Sequence, residues 1–187
     1  PSTVSHTTSW LRSRPVCFAA FPGIALLETG IPPGRNCLEK AAELVRAQGP
    51  TLSRTYEISL AILFLDRLGK KTDQSLIRSL ALRLMAGQTN WGGWGYSCPI
   101  LNPNQEKTTL IFLSEKKTEK NPKPFPASLP RGQSEPTDNS NTQFAILALW
   151  NAKKYGLPLE FTFSQIERRF RSSQQANGWG YKIGQRD

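Results

Sequence analysis

A chain of 187 residues with 38% hydrophobic residues is long enough for one domain with a sizeable core, and it is too apolar for overall disorder. The formal net charge of +10 allows acidic partners, but the densest basic run, residues 116–123, contains glutamate and proline and has no aromatic side chain for base stacking. That run favours a solvated loop, and we expect no specific nucleic-acid partner. No apolar run reaches the ~20 residues of a transmembrane helix, whereas peripheral membrane contact through the basic loops stays open.

The three cysteines lie far apart and form no C-x-x-C pair, so the sequence indicates neither a disulfide framework nor a zinc site. A reducing compartment fits this pattern, and we expect a cytoplasmic protein with no metal site and no cofactor. The chain begins at Pro1 and ends at Asp187, shortly after a repeated turn, which we interpret as the sign of a fragment.

Two kinds of helix alternate along the chain. After a flexible segment, residues 1–15, we predict one repeat domain over residues 16–187. Inner helices, apolar nearly all round, are predicted at residues 18–29, 55–68 and 142–155, and such helices must be covered on most sides. The amphipathic outer helices between and after them carry apolar stripes such as Leu38, Ala41, Ala42 and Val45. A short helix at residues 105–113 and an irregular, proline-rich loop at about 118–137 interrupt the alternation.

Polar residues ahead of the outer helices predict where those helices begin. Asp73, or Thr72 before it, is placed to cap the second outer helix. Residues 162–165 match a capping box for the last one, with Phe161 positioned to staple onto Ile166.

Two tryptophan-glycine turns indicate an internal repeat. Gln88 recurs 86 residues later as Gln174, and Tyr96 recurs 85 residues later as Tyr181. An earlier pair, Gln48 and Gln88, is 40 residues apart, so we interpret the longer offset as two units of about 40 residues, of which residues 98–137 have lost the pattern. We predict that each tryptophan packs across its turn and fixes the next inner helix, and that the structural turn residues are Gln88, Gly92, Trp94, Gln174, Gly178 and Trp179.

The first turn, Gln88 followed by Gly92-Gly93-Trp94, resembles the Q-x-x-x-G-x-W repeat of terpene cyclases, and the second is one residue shorter before its tryptophan. With the alternating helices, the chain resembles the squalene-hopene cyclase and protein prenyltransferase superfamily. Residues 55–61 and 138–145 look most like uncharacterised bacterial prenyltransferase-like proteins of the planctomycete type. The resemblance implies an all-α fold of alternating inner and outer helices in an (α/α) toroid. The toroid would be incomplete, because six pairs of about 40 residues need about 240 residues.

The catalytic groups of that superfamily do not carry over. The cyclases protonate a double bond with the D-x-D-D-T motif, but residues 138–142 match it only at Asp138 and Thr142, and Ser140 stands where the proton donor would be. The prenyltransferases bind zinc through Asp, Cys and His, whereas His6 is the only histidine here and Cys98 has no matching partners.

Candidate site residues therefore cluster at the starts of inner helices. Asp138 is interpreted as a helix cap, with a catalytic role as the alternative, and Glu57 as a partner of the helix dipole, with the same alternative. The candidate ligand-binding residues are Tyr56, Asn141, Gln143 and Trp150. Trp150 is most easily interpreted as a core residue, although an inward face could line a cavity. The turn aromatics are interpreted as structural clamps, with stabilisation of a carbocation as the alternative: Trp91, Trp94, Tyr96, Trp179 and Tyr181.

These observations predict a non-catalytic binding or scaffolding domain for an isoprenoid or other apolar ligand, a peptide, or another domain of a parent protein. The alternative is a fragment of a squalene-hopene-type cyclase or a prenyltransferase whose catalytic residues are atypical or lie outside this chain.

Overall fold

The computed structural model describes residues 14–115, 130 and 137–182. The described residues form seven α-helices and only isolated β-bridges, which confirms the all-α prediction. No helix among them has both the length and the apolar character needed to cross a bilayer. Residues 1–13 and nearly all of the predicted loop at 118–137 lie outside the described residues. The helices are α1 (Pro15–Glu28), α2 (Asn36–Gln48), α3 (Thr55–Leu68), α4 (Gln74–Gly87), α5 (Pro103–Glu115), α6 (Asn139–Ala152) and α7 (Glu160–Ser173).

Three helices, α1, α3 and α6, lie side by side and form what we call the central row, with α3 in the middle. The three helices run parallel, because contacts join the amino end of one helix to the amino end of its neighbour and the carboxyl end to the carboxyl end. Near the amino ends of α3 and α6, the Tyr56 hydroxyl hydrogen-bonds the Ser140 hydroxyl. Near the carboxyl ends, the Tyr155 hydroxyl donates to Asp66 at 2.5 Å, and Arg67 of α3 pairs with Glu28 of α1 at 2.6 Å. These row helices are the predicted inner helices, although α1 and α6 each begin three residues earlier than predicted.

A second set of helices follows the row helices along the chain. α2 packs on α1, and α4 packs on α3 and α6. The last of this set, α7, contacts α6 through the edge-to-face rings of Phe163 and Trp150, whose centroids are 6.1 Å apart. The amphipathic stripe predicts α2 correctly, since Leu38, Ala42 and Val45 are buried. Closure of the two sets into a toroid stays a prediction.

The spacing of the repeat units differs from the prediction. α1 and α3 are each 14 residues long and begin 40 residues apart, as expected for one repeat step. α3 and α6 begin 84 residues apart, yet they pack directly against each other. The longer offset therefore also joins two neighbouring helices of the row. The intervening α5 packs on α4 instead of entering the row. The interpretation of two units within that offset is therefore wrong for the row.

Two predicted helix caps are also wrong. Asp73 precedes α4, but its carboxylate makes no cap and accepts two hydrogen bonds from Arg46, at 2.7 and 2.9 Å. A bidentate, charge-assisted pair is stronger than a single capping hydrogen bond, which explains why the Asp73 carboxylate binds Arg46 and does not cap α4. α7 begins at Glu160, two residues before the predicted capping box, so Phe161 and Thr162 lie inside the helix.

Candidate functional site

The first tryptophan-glycine turn is closed by local hydrogen bonds and buried by later helices. Thr89 N donates to Gly93 O at 3.0 Å, and Gly92 N donates to Thr89 O at 2.9 Å. The Gln88 side-chain amide donates to Gly92 O at 3.1 Å and to a backbone carbonyl of α7 at 3.0 Å. Trp94 is 0% exposed, and its indole N–H donates to Leu84 O at 2.7 Å, so it fastens the turn to α4.

The second turn repeats this arrangement with one residue fewer. Gln175 N donates to Gly178 O at 2.8 Å, and Gly178 N donates back to Gln175 O at 3.2 Å. The Trp179 indole donates to Phe170 O at 2.8 Å, and Phe170 is 86 residues after Leu84, the acceptor in the first turn. Unlike its counterpart, Trp179 is 47% exposed. The two turns therefore share their backbone and indole hydrogen bonds, whereas Gln88 is buried and its counterpart Gln174 is exposed.

Both turns also hold the starts of central-row helices. Tyr96 O accepts a hydrogen bond from Thr55 N at 3.0 Å, and Tyr181 O accepts one from Asn139 N at 3.0 Å, so each turn reaches back to the helix that opens its own unit. The first turn also holds the following row helix, because Trp94 O accepts from Asp138 N at 3.2 Å. The backbone of Trp94 thus contacts the start of the following row helix. The role of the tryptophans in fixing the next inner helix stays a prediction. Trp91 is not a clamp, since its side chain is exposed.

The amino ends of the row bring together a group of polar and aromatic side chains, which we call the N-end cluster: Cys17, Tyr56, Glu57, Asp138, Ser140 and Asn141. The third residue of each row helix belongs to it, namely Cys17 in α1, Glu57 in α3 and Asn141 in α6. Four of the sequence-predicted residues, Tyr56, Glu57, Asp138 and Asn141, lie in this cluster. Cys17 and Ser140 were not predicted as members.

Asp138 is a helix cap, as its sequence context predicts. Its two carboxylate oxygens accept hydrogen bonds from the backbone N and the side-chain amide of Asn141, at 2.7 and 2.8 Å. The side-chain carbonyl oxygen of Asn141 is buried without a hydrogen-bond partner among the described residues. Because both carboxylate oxygens are engaged within the helix start, Asp138 is held in a structural role.

Tyr56 packs against a second aromatic ring at the amino ends of α3 and α6. Its ring meets that of Phe144 edge to face, with centroids 4.9 Å apart. Burial raises the pKa of the Tyr56 phenol, the hydrogen bond with Ser140 lowers it, and Asp138, Tyr181 and Tyr96 raise it further. The backbones of the two turn tyrosines lie close by, since Tyr96 O and Tyr181 O accept hydrogen bonds from Thr55 N and Asn139 N, and both side chains are about half exposed. We call Tyr56, Tyr96, Tyr181 and Phe144 the tyrosine surface.

Glu57 and Cys17 form the other side of the cluster. Burial raises the pKa of the Glu57 carboxyl, and the nearby charges of Arg54 and Arg14 oppose this shift. Burial, followed by the charge of Glu57, raises the pKa of the Cys17 thiol to about 11. A thiol with a raised pKa stays protonated at neutral pH, so Cys17 lacks the thiolate character of a reactive cysteine.

The remaining candidate ligand-binding residues are placed elsewhere. Gln143 is exposed on α6, and Trp150 lies near the far end of that helix, 63% exposed. Because each helical residue advances the chain by about 1.5 Å, Trp150 is about 15 Å along the axis of α6 from Ser140. The structure therefore separates Trp150 from the N-end cluster, and its exposure shows that the interpretation of Trp150 as a core residue is wrong.

Two buried arginines, Arg83 of α4 and Arg169 of α7, are a repeated feature that was not predicted. They lie 86 residues apart, the offset that relates Gln88 to Gln174, so the signal was present in the sequence. Arg83 donates to two backbone carbonyls just before α3, at 3.2 and 3.3 Å. Arg169 donates to Thr137 at 2.7 Å and to Asn139 at 3.1 Å, at the start of α6. Each arginine thus anchors the entry of a row helix, and burial lowers the pKa of both.

Comparisons of this chain with protein-family models, curated proteins and solved structures found no match. Within the described ranges, no group of three His, Cys, Asp or Glu side chains is placed to hold a metal ion. The resemblance to terpene cyclases and prenyltransferases therefore stays a prediction from the sequence.

Proposed function

We propose that this chain is a non-catalytic binding domain of the toroid type, and that it binds an apolar ligand of the isoprenoid class at the tyrosine surface. The observation that carries the proposal is that Tyr96 and Tyr181, the same position of two repeat units, are hydrogen-bonded through their backbone carbonyls to Thr55 and Asn139, which adjoin Tyr56 and its partner Ser140. Half-exposed tyrosines offer apolar ring faces together with a hydroxyl that hydrogen-bonds, which suits a ligand with an apolar body and a polar end.

The placement of the polar groups favours binding over catalysis. Asp138, which matches the cyclase motif in sequence, holds Asn141 with both of its carboxylate oxygens. The Ser140 hydroxyl is engaged by Tyr56. The polar groups of the cluster thus stabilise the starts of the row helices.

The enzymatic alternative rests on Glu57. Burial raises the pKa of this carboxyl, which is the direction of shift that an acid needs to donate a proton near neutral pH. A fragment of a cyclase would then use Glu57 in place of the missing motif, with the remaining groups supplied by other sequence.

The test is a thermal-shift and native mass-spectrometry screen of the chain against squalene and farnesyl diphosphate. Ligand at about 100 times its Kd stabilises the folded state by about 2.7 kcal/mol, which raises the Tm by roughly 5–10 °C for a chain of this size. We expect Tyr96→Ala and Tyr181→Ala to lose most of this rise, whereas Trp91→Ala, which changes an exposed aromatic outside the surface, keeps it.

The outcomes separate the two functions. Bound ligand that is recovered unchanged supports the binding domain. Conversion of the ligand to a product, abolished by Glu57→Gln, would establish the enzymatic alternative. A cooperatively folded protein with neither a bound mass nor a Tm shift would rule out an isoprenoid site in this chain.

A further inference from the structure

A polar cavity lies where the first tryptophan-glycine turn meets the carboxyl half of α7. Its volume is about 560 Å³, within the range of about 300–1,000 Å³ that is typical of small-molecule sites. We call it the Trp91 cavity. It shares no residue with the tyrosine surface, so a ligand here is independent of the proposed isoprenoid site. The lining consists of two arginines, an exposed tryptophan and three small polar side chains, none of them acidic: Asn90, Trp91, Arg168, Arg169, Ser172 and Ser173.

The turn itself does not require a tryptophan at position 91. The second turn has Asn177 at the equivalent place, 86 residues later, and its backbone makes the corresponding pair of hydrogen bonds. The Trp91 side chain is 69% exposed and lines the cavity. Its indole therefore offers a flat apolar face on which an aromatic ring of a ligand can stack.

The two arginines supply the positive charge of the cavity. Arg169 is 2% exposed, and its two Nη atoms donate to Thr137 and Asn139, whereas its Nε has no hydrogen-bond partner among the described residues. Arg168 is exposed and donates from one Nη to Asn90 O at 3.0 Å, which leaves most of its N–H groups for a ligand. A guanidinium with free donors binds a phosphate through two parallel hydrogen bonds.

The serine hydroxyls near the end of α7 add hydrogen-bond acceptors. Ser172 and Ser173 both donate to Arg169 O, at 3.1 and 2.8 Å. A hydroxyl whose proton is engaged in this way can still accept, so the two oxygens suit a ligand that carries hydroxyl or amino donors. A purely anionic ligand would leave these acceptors unused.

The equivalent positions of α4 are apolar and packed. Positions 168 and 172 of α7 correspond to Leu82 and Ala86 of α4, 86 residues earlier, and these two side chains are 5% and 1% exposed. Arg168 and Ser172 are instead exposed, while the buried Arg169 keeps the anchoring role of its counterpart in α4. The exposed cavity residues of α7 thus differ between the units, whereas the shared arginine holds a row helix.

We propose that the Trp91 cavity binds a small ligand with a planar aromatic ring and a phosphate group, of the nucleoside monophosphate class. The ring stacks on the Trp91 indole, the phosphate pairs with the Arg168 guanidinium, and the sugar hydroxyls donate to the serine oxygens. A cavity of about 560 Å³ has room for one ligand of this size.

The test is isothermal titration calorimetry of the 187-residue chain with adenosine monophosphate, adenosine and inorganic phosphate. The monophosphate binds, and adenosine and inorganic phosphate each bind at least about tenfold more weakly, because each lacks one of the two anchoring groups. Trp91→Ala and Arg168→Ala each weaken binding of the monophosphate by about tenfold or more, because each removes one anchor from the protein.

Matched controls are Trp150→Ala and Arg67→Ala, which change an exposed tryptophan and an exposed arginine outside the cavity and bind the monophosphate like the wild type. Circular dichroism confirms that the variants are folded, as expected for substitutions at exposed positions. A wild type that gives no heat of binding with millimolar adenosine monophosphate would overturn the proposal. Binding that neither cavity variant weakens would also overturn it, because the nucleotide would then occupy another site. Equal affinity for the monophosphate and inorganic phosphate would do the same, since the indole would contribute nothing.

Discussion

The two repeat units, residues 54–98 and 138–182, contain the same turn in two environments. In the first unit the turn is enclosed, because α6 and α7 follow it and pack over Trp94 and Gly92. In the second unit the indole of Trp179 makes the equivalent hydrogen bond but remains half exposed. The local hydrogen bonds thus follow from the repeated sequence, whereas the stability of each turn depends on what covers it.

The largest expected difference between the units is at the tryptophans. Trp94→Ala removes a fully buried ring and leaves Leu84 O without its donor, so we expect a loss of about 3–5 kcal/mol in the free energy of unfolding. Trp179→Ala should cost about 1 kcal/mol, because much of its ring is already in water. Urea denaturation of both variants measures the two values. Equal losses in the free energy of unfolding would contradict this comparison and show that the ring of Trp179 is buried as well.

The turn glycines offer a second comparison. Gly92 and Gly178 both have positive φ, 76° and 120°, so alanine at either site costs about 1–2 kcal/mol in backbone strain. A Cβ at Gly92 would also collide with the backbone carbonyl of Gln165, whereas no described atom lies near Gly178. We therefore expect Gly92→Ala to lose about 2–4 kcal/mol and Gly178→Ala only the strain. Thermal unfolding of the matched pair checks this, and a Gly178→Ala loss as large as that of Gly92→Ala would refute it.

The smallest expected effect concerns Glu57, whose repeat counterpart is the uncharged Asn141. Burial raises the pKa of Glu57 above its usual 4.5, so the folded state holds the proton more tightly than the unfolded state does. Its contribution to stability is complete below pH 4.5 and declines as the pH rises through the folded pKa. The Tm of the wild type should therefore fall relative to that of Glu57→Gln between about pH 4 and pH 7.

A control for this pH series is Gln143→Ala, at an exposed residue of α6 whose side chain does not titrate. The difference in Tm between this variant and the wild type should change little over the same range. If the difference for Glu57→Gln is equally flat, the carboxyl is not desolvated in the folded protein.

Much of the candidate site was predictable because it lies at helix starts. The polar run after the loop marks Asp138 as a cap, and the apolar helices that follow place Tyr56 and Glu57 at a row end. Cys17 and Ser140 were missed because single small residues carry little pattern. The placement of Tyr96 and Tyr181 near Tyr56 was also beyond the sequence, since it requires that α3 and α6 be neighbours.

The sequence by itself determined the helices, the alternation of apolar and amphipathic segments, and the equivalence of the two turns, because these depend on local periodicity and on glycine at fixed offsets. Only the tertiary structure decided that α3 packs directly on α6, that Asp73 binds Arg46 instead of capping α4, and that one tryptophan is buried and the other exposed. Those outcomes depend on which element lies beside which in space, and identical local patterns carry no information about their neighbours.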